Sequence, residues 1–140
     1  MQSDTSIIFA RCHEQYFAVS RVNPHTQACE DIVPPCIDRR YADFAPHPSD
    51  SSLILAVEEE HAPKDVYNRL VCLSESRVHT LHQGHSFYAY PRISSCGSFV
   101  AWVTWDHPSM PFWSSQLWVA SLLREPVPHI SEPVSYTHLT

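Results

Sequence analysis

Trp102-Val103-Thr104-Trp105-Asp106-His107-Pro108-Ser109-Met110-Pro111-Phe112-Trp113, followed after two serines by Gln116-Leu117-Trp118-Val119-Ala120, sets a charged, proline-bearing loop between two short apolar runs. A weaker copy of this pattern lies about 46 residues upstream, as a test for a fixed repeat period shows. Leu53-Ile54-Leu55-Ala56-Val57 with Glu60-His61 aligns with Phe99-Val100-Ala101-Trp102-Val103 with Asp106-His107. Arg69-Leu70-Val71-Cys72-Leu73 then aligns with Gln116-Leu117-Trp118-Val119-Ala120. The repeating unit is strand, long polar loop, strand.

A period of about 40 to 50 residues built from short strands is that of a β-propeller blade, four antiparallel strands in one sheet packed face to face on its neighbours. The apolar runs are rich in Val, Ile, Leu, Phe and Trp and are bounded by Pro, Ser, Asp and Gly, which marks strands. No window of helical length keeps a 3.6-residue apolar spacing. The expectation is an all-β chain, an incomplete β-propeller of two to three four-stranded antiparallel blades over residues 1–133. A closed propeller takes at least four blades.

Composition narrows the function. Of the 140 residues, 44% are apolar, enough for a core, and the net charge of −6 leaves nine scattered basic residues. That balance argues against a nucleic-acid or anionic-membrane surface. The apolar runs fall far short of the roughly 18 residues of a spanning helix. The N-terminus lacks a basic region followed by an apolar one, so no secretion signal is read there. Five cysteines, Cys12, Cys29, Cys36, Cys72 and Cys96, form an odd set with irregular spacing and read as free thiols in a reducing, cytoplasmic compartment.

Along the chain, Ile7–Ala10 and Tyr16–Val19 read as a hairpin, and Glu30–Val33 as a strand whose pairing ends at Pro34-Pro35, since proline cannot donate to a ladder. Tyr41–Phe44 opens the next unit, Leu53–Val57 continues it, and Glu58–Asp65 reads as a charged loop. Leu70–Leu73 and Val78–Leu81 complete that unit. Phe87–Ile93, Phe99–Val103 and Leu117–Leu122 form the third, with a last strand expected after Pro126. Val134-Ser135-Tyr136-Thr137-His138-Leu139-Thr140 resembles the translation of a transposon-end sequencing adapter, so residues 134–140 are set apart as a tail foreign to the fold.

With the units placed, several runs resemble the propeller of the prolyl oligopeptidase family of serine peptidases, in particular its acylaminoacyl-peptidase and dipeptidyl-peptidase-like members. The runs are Arg40-Tyr41-Ala42-Asp43-Phe44, Glu59-Glu60-His61, Ser86-Phe87-Tyr88 with Pro91-Arg92, and Trp105-Asp106-His107-Pro108 with Met110-Pro111 and Leu117-Trp118-Val119-Ala120. The likeness spans residues 7–125 and is most specific from Trp102 to Ala120. It departs from the family at Ser94-Ser95-Cys96-Gly97, which keeps the glycine of the usual Ser-Pro-Asp-Gly turn and loses its aspartate. The resemblance implies a cytosolic parent whose catalytic triad lies in an α/β-hydrolase domain after the propeller, with the propeller restricting entry to short peptides. No Gly-x-Ser-x-Gly elbow occurs in this chain, so no catalytic residue is assigned. The competing reading is a propeller scaffold for protein interaction with no enzyme attached.

The remaining constellations each have a plain structural reading. His79-x-x-His82-x-x-His85 could offer three imidazoles to Zn²⁺, but the spacing alternates faces on a strand and no Cys-x-x-Cys or His-Glu-x-x-His accompanies it. Solvated loop histidines are expected, and neither a metal nor a cofactor. Glu59 and Glu60 are the candidate rim residues, where the resemblance suggests capture of a substrate amine; the alternative is a charged loop end. Asp106 is expected to cap the turn that follows it. Trp102, Trp105, Phe112, Trp113 and Trp118 are expected to pack between blades.

Overall fold

The computed structural model describes residues 6–137, all strand, turn and loop, arranged as three antiparallel sheets. The first holds β1 (Ile7–His13), β2 (Tyr16–Val22) and β3 (Cys29–Cys36) in that spatial order. The second holds β4 (Arg39–Pro46), β5 (Leu53–His61), β6 (Val66–Ser74) and β7 (Arg77–His82). The third holds β8 (Phe87–Ile93), β9 (Phe99–Trp105), β10 (Gln116–Leu123) and β11 (His129–Ile130), with β12 (Val134–Thr137) also on β10.

The middle sheet buries both faces. Ile54, Ala56, Val71 and Leu73 pack with Val19 and Val33 of the first sheet. Leu53, Leu55, Leu70 and Cys72 pack with Tyr88, Val100, Trp102, Ala120 and Leu122 of the third. A strand buried on both faces has no polar side to alternate with, which is why Leu53–Val57 and Leu70–Leu73 read as continuous apolar runs. Each fully buried Leu, Ile or Val there contributes about 1.5 to 3 kcal/mol relative to exposure. The stacked sheets, rather than any single hairpin, therefore carry the stability.

The repeat extends to irregularities. In the second sheet the register of β4 on β5 shifts between Ala42 and Ala45, and in the third that of β8 on β9 shifts between Ala89 and Arg92. Each bulge holds a non-glycine residue in the left-handed region, Asp43 at φ 59° and Tyr90 at φ 56°. The Tyr90 N–H donates to the Asp43 carboxylate at 2.7 Å, tying one bulge to the next. Gly97 is required for two reasons. Its φ is +77°, and a Cβ there would lie 2.5 Å from the His47 ring. That buried ring accepts from the Ser49 N–H at 3.1 Å and, through its other nitrogen, donates to the Gly97 carbonyl at 3.2 Å.

Three local expectations are corrected. Pairing does not stop at Pro34-Pro35: β3 runs through both prolines and sets Cys36 opposite Phe17. It is an edge strand with an irregular register between Phe17 and Ser20, the setting in which a missing N–H is tolerated. Glu58, Glu59 and Glu60 are not loop: β5 continues to His61, with Glu58 opposite Arg69 and Tyr41, because basic and hydroxyl groups on the flanking strands compensate the carboxylates. The tail, set apart from the fold on its sequence, nonetheless pairs with it: Val134–Val119 through Thr137–Gln116 form an antiparallel ladder. The outer edge of β10 presents free backbone groups that pair with an extended chain of almost any sequence. The side chains of Val134 and Tyr136 nonetheless stay 57% and 58% exposed. His138-Leu139-Thr140 lie outside the described residues.

Candidate functional site

A groove of about 900 Å³ opens between the second and third sheets, where β5 and β9 end and β6 and β8 begin. Glu59, Asp65, Tyr67, Arg69, His85 and Asp106 line it, with Asn68, Ser86 and His107 between them. Strand alternation decides which acids reach it. Glu58 and Glu60 continue the face of β5 that looks to the first sheet, whereas Glu59 and His61 continue the face that looks to the third.

On the far face, Glu58 is almost fully buried and accepts from the Tyr41 hydroxyl at 2.8 Å and from Arg69 at 3.1 Å. Glu60 pairs with Arg39 at 3.1 Å and with Arg69 at 3.5 Å. Burial opposes ionisation of Tyr41, and its hydrogen bond to the Glu58 carboxylate adds to that, so the phenol titrates well above its ordinary value. For Arg39, burial works against the charge, but Glu58 and Glu60 more than offset it, and the guanidinium is held above its usual value. This network is structural: it keeps a buried carboxylate paired, without which it would be strongly destabilising.

On the groove side, the Glu59 carboxylate is 42% exposed and meets His61 Nε2 at 2.5 Å. Across the groove, Asp106 accepts from the Ser86 N–H at 2.7 Å and contacts His85 Nδ1 at 2.9 Å. Burial raises the Asp106 carboxyl, but the hydrogen bonds from His85 and Ser86 together outweigh it, so it titrates below the ordinary carboxylate value. Asp106 thus fastens the entry of β8 through Ser86 rather than capping the turn after itself, as the sequence suggested. The side chain of Arg69 is committed to Glu58, Glu60 and Gln83, the last at 3.1 Å. The groove therefore presents Asp65 together with Glu59 and Asp106, whose only ionisable partners among the described residues are histidines, while Arg69 is committed to other groups, an arrangement that suits a cationic group.

The histidine cluster divides. His82 and His85 stack at 5.8 Å, and His82 lies 5.2 Å and 4.9 Å from the Trp102 and Trp118 rings. Burial there, with His85 alongside, holds the His82 imidazole below its ordinary pKa, and its Nδ1 meets the Tyr88 hydroxyl at 2.9 Å. His79 lies apart, on a separate cleft with Asp50 and Arg124. Among the described residues, no three His, Cys, Asp or Glu side chains gather as a metal site.

The aromatics also divide. Trp102 is 1% exposed and stacks on Trp118 at 6.3 Å with the rings 8° apart, filling the space between the second and third sheets. Trp105 instead stacks on Phe87 within its own sheet at 5.3 Å. Phe112 and Trp113 pack between no sheets: they are 72% and 69% exposed on the loop after His107. Sequence reading assigned all five aromatics alike because loop aromatics and strand aromatics differ only in what lies opposite them.

Over 99% of its length the chain superposes on a puromycin-hydrolyzing peptidase of Mycobacterium tuberculosis, with a TM-score of 0.80 and 23% identity. A puromycin hydrolase matches over 96% of the chain, with a TM-score of 0.74 and 21% identity. The chain is three consecutive β-propeller blades. It spans 23% and 22% of the lengths of those two proteins. TolB from Acinetobacter baumannii is a more distant match, with a TM-score of 0.52 and 14% identity over 89% of the chain. No family model and no curated protein matches the sequence. Among the described residues, no helix is long and apolar enough to cross a membrane.

The blade count locates the groove. It lies in the cleft between the second and third blades, and the loop that carries Met110–Trp113 follows His107, one of its lining residues. Sequence offered both Glu59 and Glu60 as rim residues; Glu59 lines the groove, whereas Glu60 lies on the opposite face, paired with Arg39 and Arg69. Sequence reading missed Asp65, Tyr67, His85 and Asp106 as companions of Glu59: the first two sit just across the β5–β6 turn from it, while His85 and Asp106 come from turns of the next blade that no local spacing joins to them.

Proposed function

We propose that the chain is the propeller portion of a prolyl-oligopeptidase-family serine peptidase, acting as the admission surface for short peptides that reach a separate α/β-hydrolase domain of the same parent. The observation that supports this most is the coincidence of two independent likenesses. The Trp102–Ala120 motif resembles that family, and the blades superpose on a puromycin-hydrolyzing peptidase and on a puromycin hydrolase. Puromycin is an aminoacyl amide with a free α-amine, and such an amine suits a groove of carboxylates. Glu59 is the residue proposed to receive it, with Asp65 and Asp106 supplying further negative potential. Glu60, on the opposite face, holds Arg69 and Arg39 in place. An acidic groove favours free amino termini over acyl-capped ones, so the dipeptidyl-type specificity is preferred to the acylaminoacyl type.

On this reading the exposed Phe112 and Trp113 cover a face of the hydrolase domain, and the five free thiols suit a reducing cytoplasm. The 140-residue chain should not turn over any aminoacyl or dipeptidyl anilide, because nucleophile, base and oxyanion hole reside in the other domain. In the full-length parent, Glu59→Gln should raise KM for free-amine peptides about tenfold or more with kcat retained, the loss of one charge-assisted contact of about 1.5 to 3 kcal/mol. An unchanged KM, or a parent that continues into further blades with no hydrolase domain, would remove the proposal.

A further inference from the structure

The carboxylates on the two walls of the groove each carry an imidazole. Glu59, from β5, meets His61 Nε2 at 2.5 Å, and Asp106, just after β9, meets His85 Nδ1 at 2.9 Å. A neutral imidazole makes either bond by donating one N–H, which leaves its second nitrogen free, Nδ1 in His61 and Nε2 in His85. A proton taken up at that second nitrogen keeps the hydrogen bond and turns each pair from a net anion into a neutral ion pair. Histidine is the side chain that ordinarily takes up this proton between roughly pH 5 and 8. Asp106 titrates below the ordinary carboxylate value, so it stays ionised through that range. The surroundings direct the proton. His85 faces the His82 ring of β7 at 5.8 Å, the Tyr88 ring of β8 at 6.2 Å and the Trp118 ring of β10 at 5.5 Å. Burial, with His85 alongside, holds His82 below its ordinary pKa, and burial keeps Tyr88 neutral, so His85 is the group that charges. His61 shares its face with Glu59, has Lys64 and Asp65 in the turn that follows, and is tied by its backbone N–H to the Asp38 carbonyl at 2.7 Å. Arg39 and Arg69 pair with Glu60 on the opposite face, and the His107 ring turns edge-on to Phe87 at 4.6 Å.

We propose that His61 and His85 make the groove a proton-gated receptor for a peptide amine, open at neutral pH and closed as the pH falls through the histidine range. The inference rests on the reading of the groove as an amine site and adds its regulation. At neutral pH Glu59, Asp65 and Asp106 all present negative charge to the groove. With both imidazoles protonated, each imidazolium offsets the pull of its own carboxylate, and Asp65 alone remains unopposed. Binding and protonation therefore oppose each other, and by linkage an amine seated in the groove makes both histidines harder to protonate. The direction of the effect is distinctive. A peptide α-amine has an ordinary pKa of about 8 and only gains charge on acidification. A groove of carboxylates alone holds such an amine as well or better at about pH 5.5 than at about pH 7.5, whereas the gated groove holds it worse.

The test titrates the 140-residue chain with alanyl-alanine amide at the two pH values and constant ionic strength, with the N-acetylated compound as the neutral control. Binding is read from the backbone amide shifts of Asp65–Arg69, and far-UV circular dichroism confirms the fold under each condition. The expected result is an affinity about tenfold or more weaker at the lower pH for the native chain. The His61→Gln, His85→Gln double variant should lose that difference and bind at least as well at the lower pH. Each single variant should lose part of it, which keeps the test open if the double variant does not fold. His82→Gln should keep the whole effect. Equal or tighter binding by the native chain at the lower pH would overturn the gating and leave the amine site standing. A full pH effect in the folded double variant would also overturn it, as would an effect that disappears with His82→Gln, because the blade interface rather than the groove would then be responding. No binding by the folded chain at either pH would remove the amine site and its gating together.

Discussion

Trp102 offers the sharpest test of the idea that stacked blades, rather than separate hairpins, hold this chain together. Its side chain is 1% exposed, lies opposite Trp118 in the β9–β10 ladder and meets residues of the second blade in one core. Truncation to alanine removes the indole from a space that neighbouring strands cannot collapse into, and should cost about 3 to 5 kcal/mol. One feature moderates the loss. The Trp102 Nε1 is buried without a hydrogen-bond partner, so the native protein already carries the penalty of an unpaired donor, of order 1 to 3 kcal/mol. Trp102→Phe keeps an aromatic ring and removes that donor, and should therefore cost under about 1.5 kcal/mol. Trp118 differs, because its Nε1 donates to the fully buried Thr104 hydroxyl at 2.8 Å, and there even phenylalanine leaves an orphan. Urea titrations followed by far-UV circular dichroism would rank the variants. The expected order of loss is Trp102→Ala largest and Trp102→Phe smallest, with Trp118→Phe exceeding Trp102→Phe. Total stability of ordinary domains is only about 5 to 15 kcal/mol, so Trp102→Ala could abolish the folded signal outright. A Trp102→Ala protein that loses less than about 1 kcal/mol with an unchanged urea slope would refute the interblade role of this residue.

His82 gives a pH dependence. Its folded pKa is depressed by burial, so the unfolded chain binds the extra proton first as pH falls below about 6.5, and stability should decline from there towards the folded value. Urea midpoints at pH 7.5 and 5.5 should differ, and His82→Gln should reduce that difference; Asp31 and Asp106, both lowered, act only in the more acidic range. The β6–β7 turn places Glu75 and Ser76 at φ 52° and 62°, a conformation costly for side chains with a Cβ, so Ser76→Gly should raise stability by about 1 kcal/mol in the same titration. A loss of stability would mean that the serine makes a compensating contact. Truncation after Pro133 should leave stability within about 0.5 kcal/mol, since the paired tail buries little side chain, but should increase concentration-dependent association by baring the β10 edge. Sedimentation of both forms checks this, and a truncated chain that stays monomeric while the intact one associates would count against it.

Much of the architecture was legible in the residues because strand repeats write themselves into the sequence as spacing. The interval between Leu53–Val57 and Phe99–Val103, the doubly apolar runs and Gly97 at its turn each reflect a local constraint of backbone or burial, and each survives in the structure. Pro34 and Pro35 misled because the cost of a missing N–H depends on whether the strand is central or at an edge, which sequence does not record. The glutamate run misled for a related reason. Three consecutive carboxylates look solvated until Arg39, Arg69 and Tyr41 are brought beside them by strands before and after β5. The groove belongs to the tertiary structure. Glu59 and Asp65 share the β5–β6 hairpin, but His85 and Asp106 join them only because two blades stack with their ends in line, so the full set is a property of packing, which no one-dimensional pattern contains.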